Sequence, residues 1–573
     1  MSALGRKLLI AAVAVTVGWF ALVLLWDEAP FTLTFDDAYY YFGIARNLVD
    51  GRGSTFDGIN ATNGYHPLWM AVCLIPFALG LDDLAAARTL LLVQVVVGWG
   101  VATVLIGRIV AGAVDGWRAA AEKDPTGTPR GRQVADAVVT AVFVLTIANP
   151  FIVKTFVNGL ESGIVVTVQV VLLWLVAPRA HRVVISGHPV RLAIGALLAI
   201  AFLARTDSIL LVATFGLWNL ADVVRRCRAH RLAVGAGLVA LVELFAPVGV
   251  TVAAYLALNQ RAFGTPTQVS GQVKQATIDA TTIVSFAVVV AIALAIGVYT
   301  FRRVHAERAT GSARFPRAGA FVVRTGWYAA FVVLTLGYYN VLQTQQWLWY
   351  YAPALLWLVI VFLLAVADVV AVGLASTEGR SPVPAGRAIA PAAAIFGIPL
   401  LVALVLGTVQ FADPDLRSIQ LANKQAGEWI RANLPPDAVL ASWDAGVVGY
   451  FSHARVVNYD GVVNSLEFHR AMVDGTATTF LRCEHVGFIT NHGVAVDGRD
   501  PDIQNLIASI YGPDAAARSV VRYAEPFRYS GTTNTGGFEA SGVRELTMWV
   551  MEIPTDVVGP RPQDDCAGVT GLP

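Results

Sequence analysis

The chain has 573 residues, 56% of them hydrophobic and only 14% charged, with a formal net charge of +1. That composition excludes an ordinary soluble domain, and the balanced charge gives no electrostatic reason to expect a nucleic-acid partner. The four cysteines, Cys73, Cys227, Cys483 and Cys566, show no metal-ligand spacing, and no Cys/His cluster points to zinc.

Many apolar runs reach about 18 residues or more, enough to cross a bilayer as helices. The chain therefore reads as a polytopic α-helical membrane protein. The predicted spans are 8–26, 86–112, 133–149, 161–178, 191–204, 206–221, 232–257, 281–301, 322–341, 350–373 and 388–411. The first is too long for a signal-peptide core and lacks a small-residue cleavage site, so it is expected to be retained.

The loop after it, residues 27–85, opens with "TFDDAYYYFGIARNLVDG" (34–51). Thr34 reads as an N-cap with Asp36 at N2 and Asp37 at N3, a weak capping box, and Gly51 as the stop. In the helix this predicts, Asp37 shares a face with Tyr40, Tyr41 and Ile44. Rings beside a carboxylate suit either sugar stacking or an interfacial aromatic belt. The next stretch, "GRGSTFDGINATNGYHPLW", is turn-rich and dense in polar groups: Asp57, Asn60, Asn63, Tyr65 and His66. His66 serves either a helix start or catalysis. Residues 67–80 are short for a span and carry Pro67 and Pro76. They are expected to lie along the outer interface, with Trp69 at headgroup level.

Lys and Arg placement sets the orientation. With the N-terminus inside, the inner segments hold 22 basic residues and the outer segments before 412 hold six: Arg46, Arg52, Lys154, Arg205, Arg261 and Lys274. Eleven spans then leave the C-terminus outside the cell. The fifth and sixth spans are each about 15 residues, roughly 22 Å as helix against a hydrocarbon core of about 30 Å. They meet at "ARTDS" (204–208) and read as a short pair dipping in from the outer face.

Residues 412–573 form a separate outer domain. "RSIQLANKQAGEWIRANL" has helical spacing and stops at Pro435-Pro436. "AVLASW", "ARVVNY", "HVGFIT" and "LTMWVMEI" read as strands. A small α/β domain follows. Its only cysteines, Cys483 and Cys566, face an oxidising compartment, and the sequence leaves their pairing open.

An acidic pair opening the first outer loop, then "YYYFGIARNLVDGRGSTFDG" and "TNGYHPLW", resembles the GT-C membrane glycosyltransferases. These include protein O-mannosyltransferases, lipid A aminoarabinose transferases and mycobacterial arabinosyltransferases. The eleven-span layout with a C-terminal outer domain agrees, as do "NGLESG" (158–163), "LARTDSILL" (203–211), "FGTPTQVSGQVK" (263–274), "WLWYYAP" (347–353) and "WDAGVVGYF" (443–451). The resemblance implies a polyprenyl-phosphate-sugar donor, a saccharide, lipid or protein acceptor, and a first-loop aspartate as the base. Counting back from "IARN", that match falls on Asp37, with Asp36 tuning or replacing it; the family often has Asp-Glu where this chain has Asp37-Ala38. Arg205 and Lys274 are the expected phosphate partners, with Arg261 and Lys154 in reserve. Snorkelling or an ion pair with Asp207 is the plain reading of Arg205. Glu161 either supports a helix start or accepts sugar hydroxyls. Tyr350 or Tyr351 is either a belt residue or a donor contact. Asp444 and Asp460 either face the membrane domain or end ordinary turns. No cofactor is required; a divalent cation on Asp36, Asp37 and Glu161 is the alternative. The rival functions are a flippase for lipid-linked saccharides and a non-catalytic polyprenyl-phosphate-binding relative.

Overall fold

A computed structural model describes residues 1–120, 129–179, 182–276, 278–310, 317–344, 347–379, 401, 405, 419–531, 542–559 and 566. Among these, seven helices are long and apolar enough to cross a membrane: Ala3–Leu25, Asp83–Gly116, Ser162–Arg179, Thr206–Arg228, Val234–Phe263, Ala280–Ala306 and Leu348–Ala371. Seven predicted spans fall on them. The runs at 133–149 and 322–341 fall on bent helix pairs, Gly131–Ile147 with Pro150–Phe156 (59°) and Arg317–Arg324 with Gly326–Val341 (73°). Counting each pair as one span gives nine. Pro150 explains the first bend, since it lacks an N–H and starts a new helix that Asn149 caps through Phe151 N (3.0 Å). The predicted span 388–411 lies outside the described residues apart from 401 and 405.

The expected pair of short spans is corrected in its second half. His188–Ala204 is a 17-residue helix, but Thr206–Arg228 runs 23 residues. Hydropathy fades there because Asn219 and Asp222 are polar. Both are buried all the same, and Asp222 is satisfied by Arg226 (2.7 Å) on its own helix and faces His305 (3.3 Å) on a neighbour. The helix continues because its polar groups are paired.

The C-terminal part, called the outer domain after the side the sequence predicts for it, carries a five-stranded sheet in the order β2-β1-β3-β5-β4, with β1 Val439–Ser442, β2 Arg455–Asn458, β3 Phe488–Gly493, β4 Val520–Gly531 and β5 Gly542–Glu552. β1 pairs in parallel with β2 and β3, while β5 is antiparallel to β3 and β4. The four predicted strands are β1, β2, β3 and β5. The fifth, β4, was hidden by Pro526 and by the charges of Arg522, Glu525 and Arg528; it is an edge strand, where proline is tolerated. Cys483 and Cys566 form a disulfide.

This domain has its own core of Ala441, Val457, Phe468, Ile489, Ile507 and Met551. A second core joins it to the loop after the first span: Tyr39, Tyr40, Phe42 and Trp69 pack with Leu440, Val448, Tyr450 and Val550. Two glycines mark the closeness of that junction. A Cβ on Gly446 would lie 2.2 Å from Asp36 O, and one on Gly64 would lie 2.2 Å from Val462 O.

Candidate active site

The acidic pair starts the Asp36–Val49 helix. Phe35, not Thr34, occupies the N-cap, so Asp36 is N1 and Asp37 N2. Thr34 fails to cap because its hydroxyl turns back to Pro30 O, closing the short Ala29–Leu33 helix. Gly51 does end the turn with a positive φ of 76°. The interfacial reading of Trp69 is also corrected. The Pro67–Ala78 helix exists, but Trp69 is 0% exposed and donates its indole N–H to Gly159 O (2.9 Å).

That bond belongs to a cradle under "NGLESG". Gln94, buried in an apolar span, accepts from Asn158 N (3.0 Å) and Gly159 N (2.8 Å) through Oε1 and donates to Leu160 O. The cradle fixes Glu161, which receives Tyr41 OH on Oε2 (3.1 Å) and Arg205 Nη1 on Oε1 (3.0 Å). Arg205, 5% exposed, also donates through Nε to Asp207 (3.0 Å) and through Nη2 to Tyr339 OH (2.7 Å). Its guanidinium lies 4.9 Å over the Tyr350 ring. The plain reading of Arg205 as an ion-pair residue is thus present in the structure.

These groups border a cavity of about 570 Å³ lined by Asp37, Tyr40, Tyr41, Ile44, His66, Glu161, Arg205, Lys274 and Tyr350, among others. The face read from the sequence, Asp37 with Tyr40, Tyr41 and Ile44, is the face turned to it. Its apolar end is formed by Phe202, Leu210, Val252 and Leu256 from the spanning helices. The outer domain closes the opposite side through Val462 and Val463. Asp37 keeps 28% of its side chain open, and its Oδ2 lies 3.7 Å from Lys274 Nζ. Lys274 also donates to Tyr350 OH (3.3 Å).

Burial pushes the Asp37 carboxyl above the ordinary aspartate range; Lys274 opposes this, while Asp444 and Glu161 add to it. Burial opposes the Lys274 ammonium, but Asp37, Tyr350 and Asp460 outweigh it and hold the amine's pKa above its usual value. His66 stands at the N-cap of the Pro67–Ala78 helix. Its Nδ1 faces Thr206 N (3.4 Å) and Gln268 Nε2 (3.0 Å), two donors, which leaves the proton on Nε2, 3.7 Å from Glu161. Burial lowers its pKa, with Glu161 opposing.

Three sequence candidates lie off the cavity wall. Asp36 turns away: Gly446 N donates to its Oδ2 and Val447 N to its Oδ1, each at 2.8 Å. Burial and Asp444 raise its pKa well above normal, against the pull of those two N–H groups. Asn63 stitches two loops, donating to Asn259 Oδ1 (2.9 Å) and accepting from Val269 N (3.0 Å). Tyr351 is half-buried beside the wall. Tyr40 and Tyr41 line the cavity but are only 2% and 6% exposed, too enclosed to offer a ring face to a sugar. Tyr40 OH instead accepts from Asn458 Nδ2 (2.9 Å) and Ala445 N (3.2 Å), tying the helix to the outer domain. Of the two outer-domain acids, Asp460 faces Tyr40 OH (3.5 Å), and Asp444 lies within the field of Asp37. Among the described residues no three His, Cys, Asp or Glu side chains converge on a cation position, so Asp36, Asp37 and Glu161 do not form one group.

Tyr339, Gln268 and Gln94 were missed, whereas Asp207 was read as the partner of Arg205. Gln268 sits inside a quoted segment; Gln94 is a single polar group in an apolar run, a signal for a buried hydrogen bond, and Tyr339 stands between Tyr338 and Asn340 at the end of one.

A domain family of unknown function, DUF8728, matches residues 412–535. No curated protein matches the chain in sequence. Among solved structures, the chain is similar to ArnT from Cupriavidus metallidurans bound to undecaprenyl phosphate, at 13% identity over 96% of this chain and 99% of that one, with a TM-score of 0.46. It is also similar to the Archaeoglobus fulgidus oligosaccharyltransferase tethered with an acceptor peptide, at 11% identity over 94% of this chain and 74% of that one, with a TM-score of 0.48.

Proposed function

We propose that this chain is a membrane glycosyltransferase that moves a sugar from a polyprenyl-phosphate carrier to an extracytoplasmic acceptor in one displacement, inverting the anomeric centre. The observation that carries the reading is the Asp37–Lys274 pair, 3.7 Å apart on the wall of a cavity with one polar and one apolar end. The acceptor hydroxyl gives its proton to the Asp37 carboxylate as its oxygen bonds to the anomeric carbon. The bond from that carbon to phosphate breaks, and the phosphate keeps the electron pair. Phosphate is a good leaving group and needs no general acid, so the demand falls on a base and on cations. A carboxyl with a raised pKa is a stronger base than an ordinary aspartate.

Lys274 is the first phosphate partner, since an ammonium has three donors and this one has Tyr350 and Asp37 as its neighbours. Arg205 is the second; Glu161 and Asp207 already engage it, so it sets the field more than it grips. The polyprenyl chain leaves the cavity by Phe202, Leu210, Val252 and Leu256, toward the bilayer. The N-terminus lies in the cytoplasm in this arrangement, which puts the outer domain and the acceptor outside.

The test is transfer by purified protein from a panel of radiolabelled polyprenyl-phosphate sugars. Asp37→Asn is expected to abolish transfer, and full activity in that variant would sink the mechanism. Unchanged rates in chelator would count against a required divalent cation. No transfer from any donor, with ATP-independent movement of the lipid across liposomes, would favour a flippase. Donor binding with neither activity would mark a non-catalytic relative.

A further inference from the structure

A second cavity of about 250 Å³ lies beside the first, lined by Ala61, Asn63, Phe263, Val269, Glu467 and Arg470 among others. Three segments wall both. Asn63 faces the smaller cavity while Gly64, Tyr65 and His66 face the larger. Val269 faces the smaller while Thr267 and Gln268 face the larger. Leu466 and Glu467 face the smaller, just beyond Val462 and Val463 on the larger. The partition is therefore a single layer of chain. Asn63 locks it, with bonds to Asn259, Thr267 and Val269.

The chemistry of the smaller cavity differs from that of the larger. Glu467 and Arg470 stand three apart on the Leu466–Val473 helix, hence on one face. Neither side chain makes a hydrogen bond or ion pair with another described residue. Their charges cancel, so the site favours neither a phosphate nor a polycation. Together they offer a fork of donors and a pair of acceptors, which suit adjacent hydroxyls. The Phe263 ring beside them can pack on the apolar face of a sugar.

We infer that this second cavity binds the neutral saccharide chain of the acceptor, whose glycosylated end passes over the edge of the partition into the larger cavity. The inference rests on the transferase reading and narrows its acceptor from saccharide, lipid or protein to saccharide. The full-length protein in nanodiscs is given methyl mannoside, methyl arabinoside and the linear trisaccharides of each. Glu467→Ala and Arg470→Ala are expected to raise KM for trisaccharide about tenfold, the size of one lost charge-assisted hydrogen bond, with the donor KM unmoved. Phe263→Ala is expected to do the same. An unchanged trisaccharide KM in all three, or an equal rise for the donor, overturns the inference.

Saturation-transfer NMR of the same sugars gives a readout that does not need turnover. Trisaccharide binding to wild type and to Asp37→Asn, lost in the Glu467→Ala/Arg470→Ala double variant, supports the inference. A wild-type protein that binds none of the sugars overturns it. Saccharide binding without transfer from any donor defeats the transferase reading and leaves this site standing.

Discussion

Replacing Asp36 separates the two acids of the first loop. Both of its oxygens accept backbone N–H groups at the start of the Ala445–Ser452 helix, each at 2.8 Å. A helix start leaves such donors without partners inside the helix, and Asp36 supplies them from the other domain. At about 1.5 kcal/mol for each bond, Asp36→Ala should cost about 3 kcal/mol of docking, and Asp36→Asn, which keeps one acceptor, about half of that. With a tenfold change for each 1.4 kcal/mol, amide exchange at Gly446 and Val447 should speed up about 100-fold in the Ala variant and about tenfold in the Asn variant. Hydrogen–deuterium exchange on the peptide covering 443–452 measures this directly. Asp37→Ala should leave that protection intact, because the contact Asp37 makes is with Lys274. Unchanged protection in both Asp36 variants, or equal loss in Asp37→Ala, would refute the division of roles.

Three further outcomes follow from the same geometry. Arg205→Ala leaves the buried Glu161 and the half-buried Asp207 without their shared cation, so thermal unfolding in detergent should show a loss of about 3 kcal/mol; a variant as stable as wild type would contradict the network. Burial lifts the Asp460 pKa to about 7, opposed by Val462 N–H and aided by Asp37. A carboxyl whose folded pKa exceeds its unfolded value of about 3.9 stabilises the fold most below that value, and the contribution is lost as pH rises to about 7. Wild type should therefore lose stability relative to Asp460→Asn across that window, and parallel pH curves would refute it. Removing the Cys483–Cys566 disulfide by Cys566→Ser should cost about 2–5 kcal/mol of outer-domain stability, read as earlier proteolysis of residues 419–559 than of the spans.

The spans were legible because lipid-facing helices need only length and hydrocarbon. Ala280–Ala306 has only 6% of its most apolar window buried inside the protein, so its sequence is nearly a pure hydropathy signal. The helix bearing Asp37 was legible through its 3.6-residue period, which put Tyr40, Tyr41 and Ile44 on the cavity side with it. The cap was not, because a threonine before two acids fits a capping box equally well whether its hydroxyl turns forward or, as here, back to Pro30. The Trp69 error has a similar root. An indole near a predicted interface suits headgroups, but an indole N–H suits any buried carbonyl, and Gly159 O was nearer. Long-range partners of this kind leave no periodic trace, which is why Gln94 and Tyr339 were missed as well.

The adjacency of Asp36 and Asp37 now has a physical meaning. Consecutive residues on an α-helix point about 100° apart, which lets two neighbouring acids serve different surroundings. One side chain reaches the outer domain and the other lines the cavity, where it meets Lys274. Tyr40, one turn on from both, repeats the arrangement within a single residue: its ring lines the cavity and its hydroxyl holds Asn458 and Ala445. The first turn of this helix is therefore a joint, and the docked position of the outer domain sets the direction in which Asp37 points. Loosening the joint through Asp36 should lower kcat without removing the proposed base, whereas removing that proposed base through Asp37 should leave the joint closed.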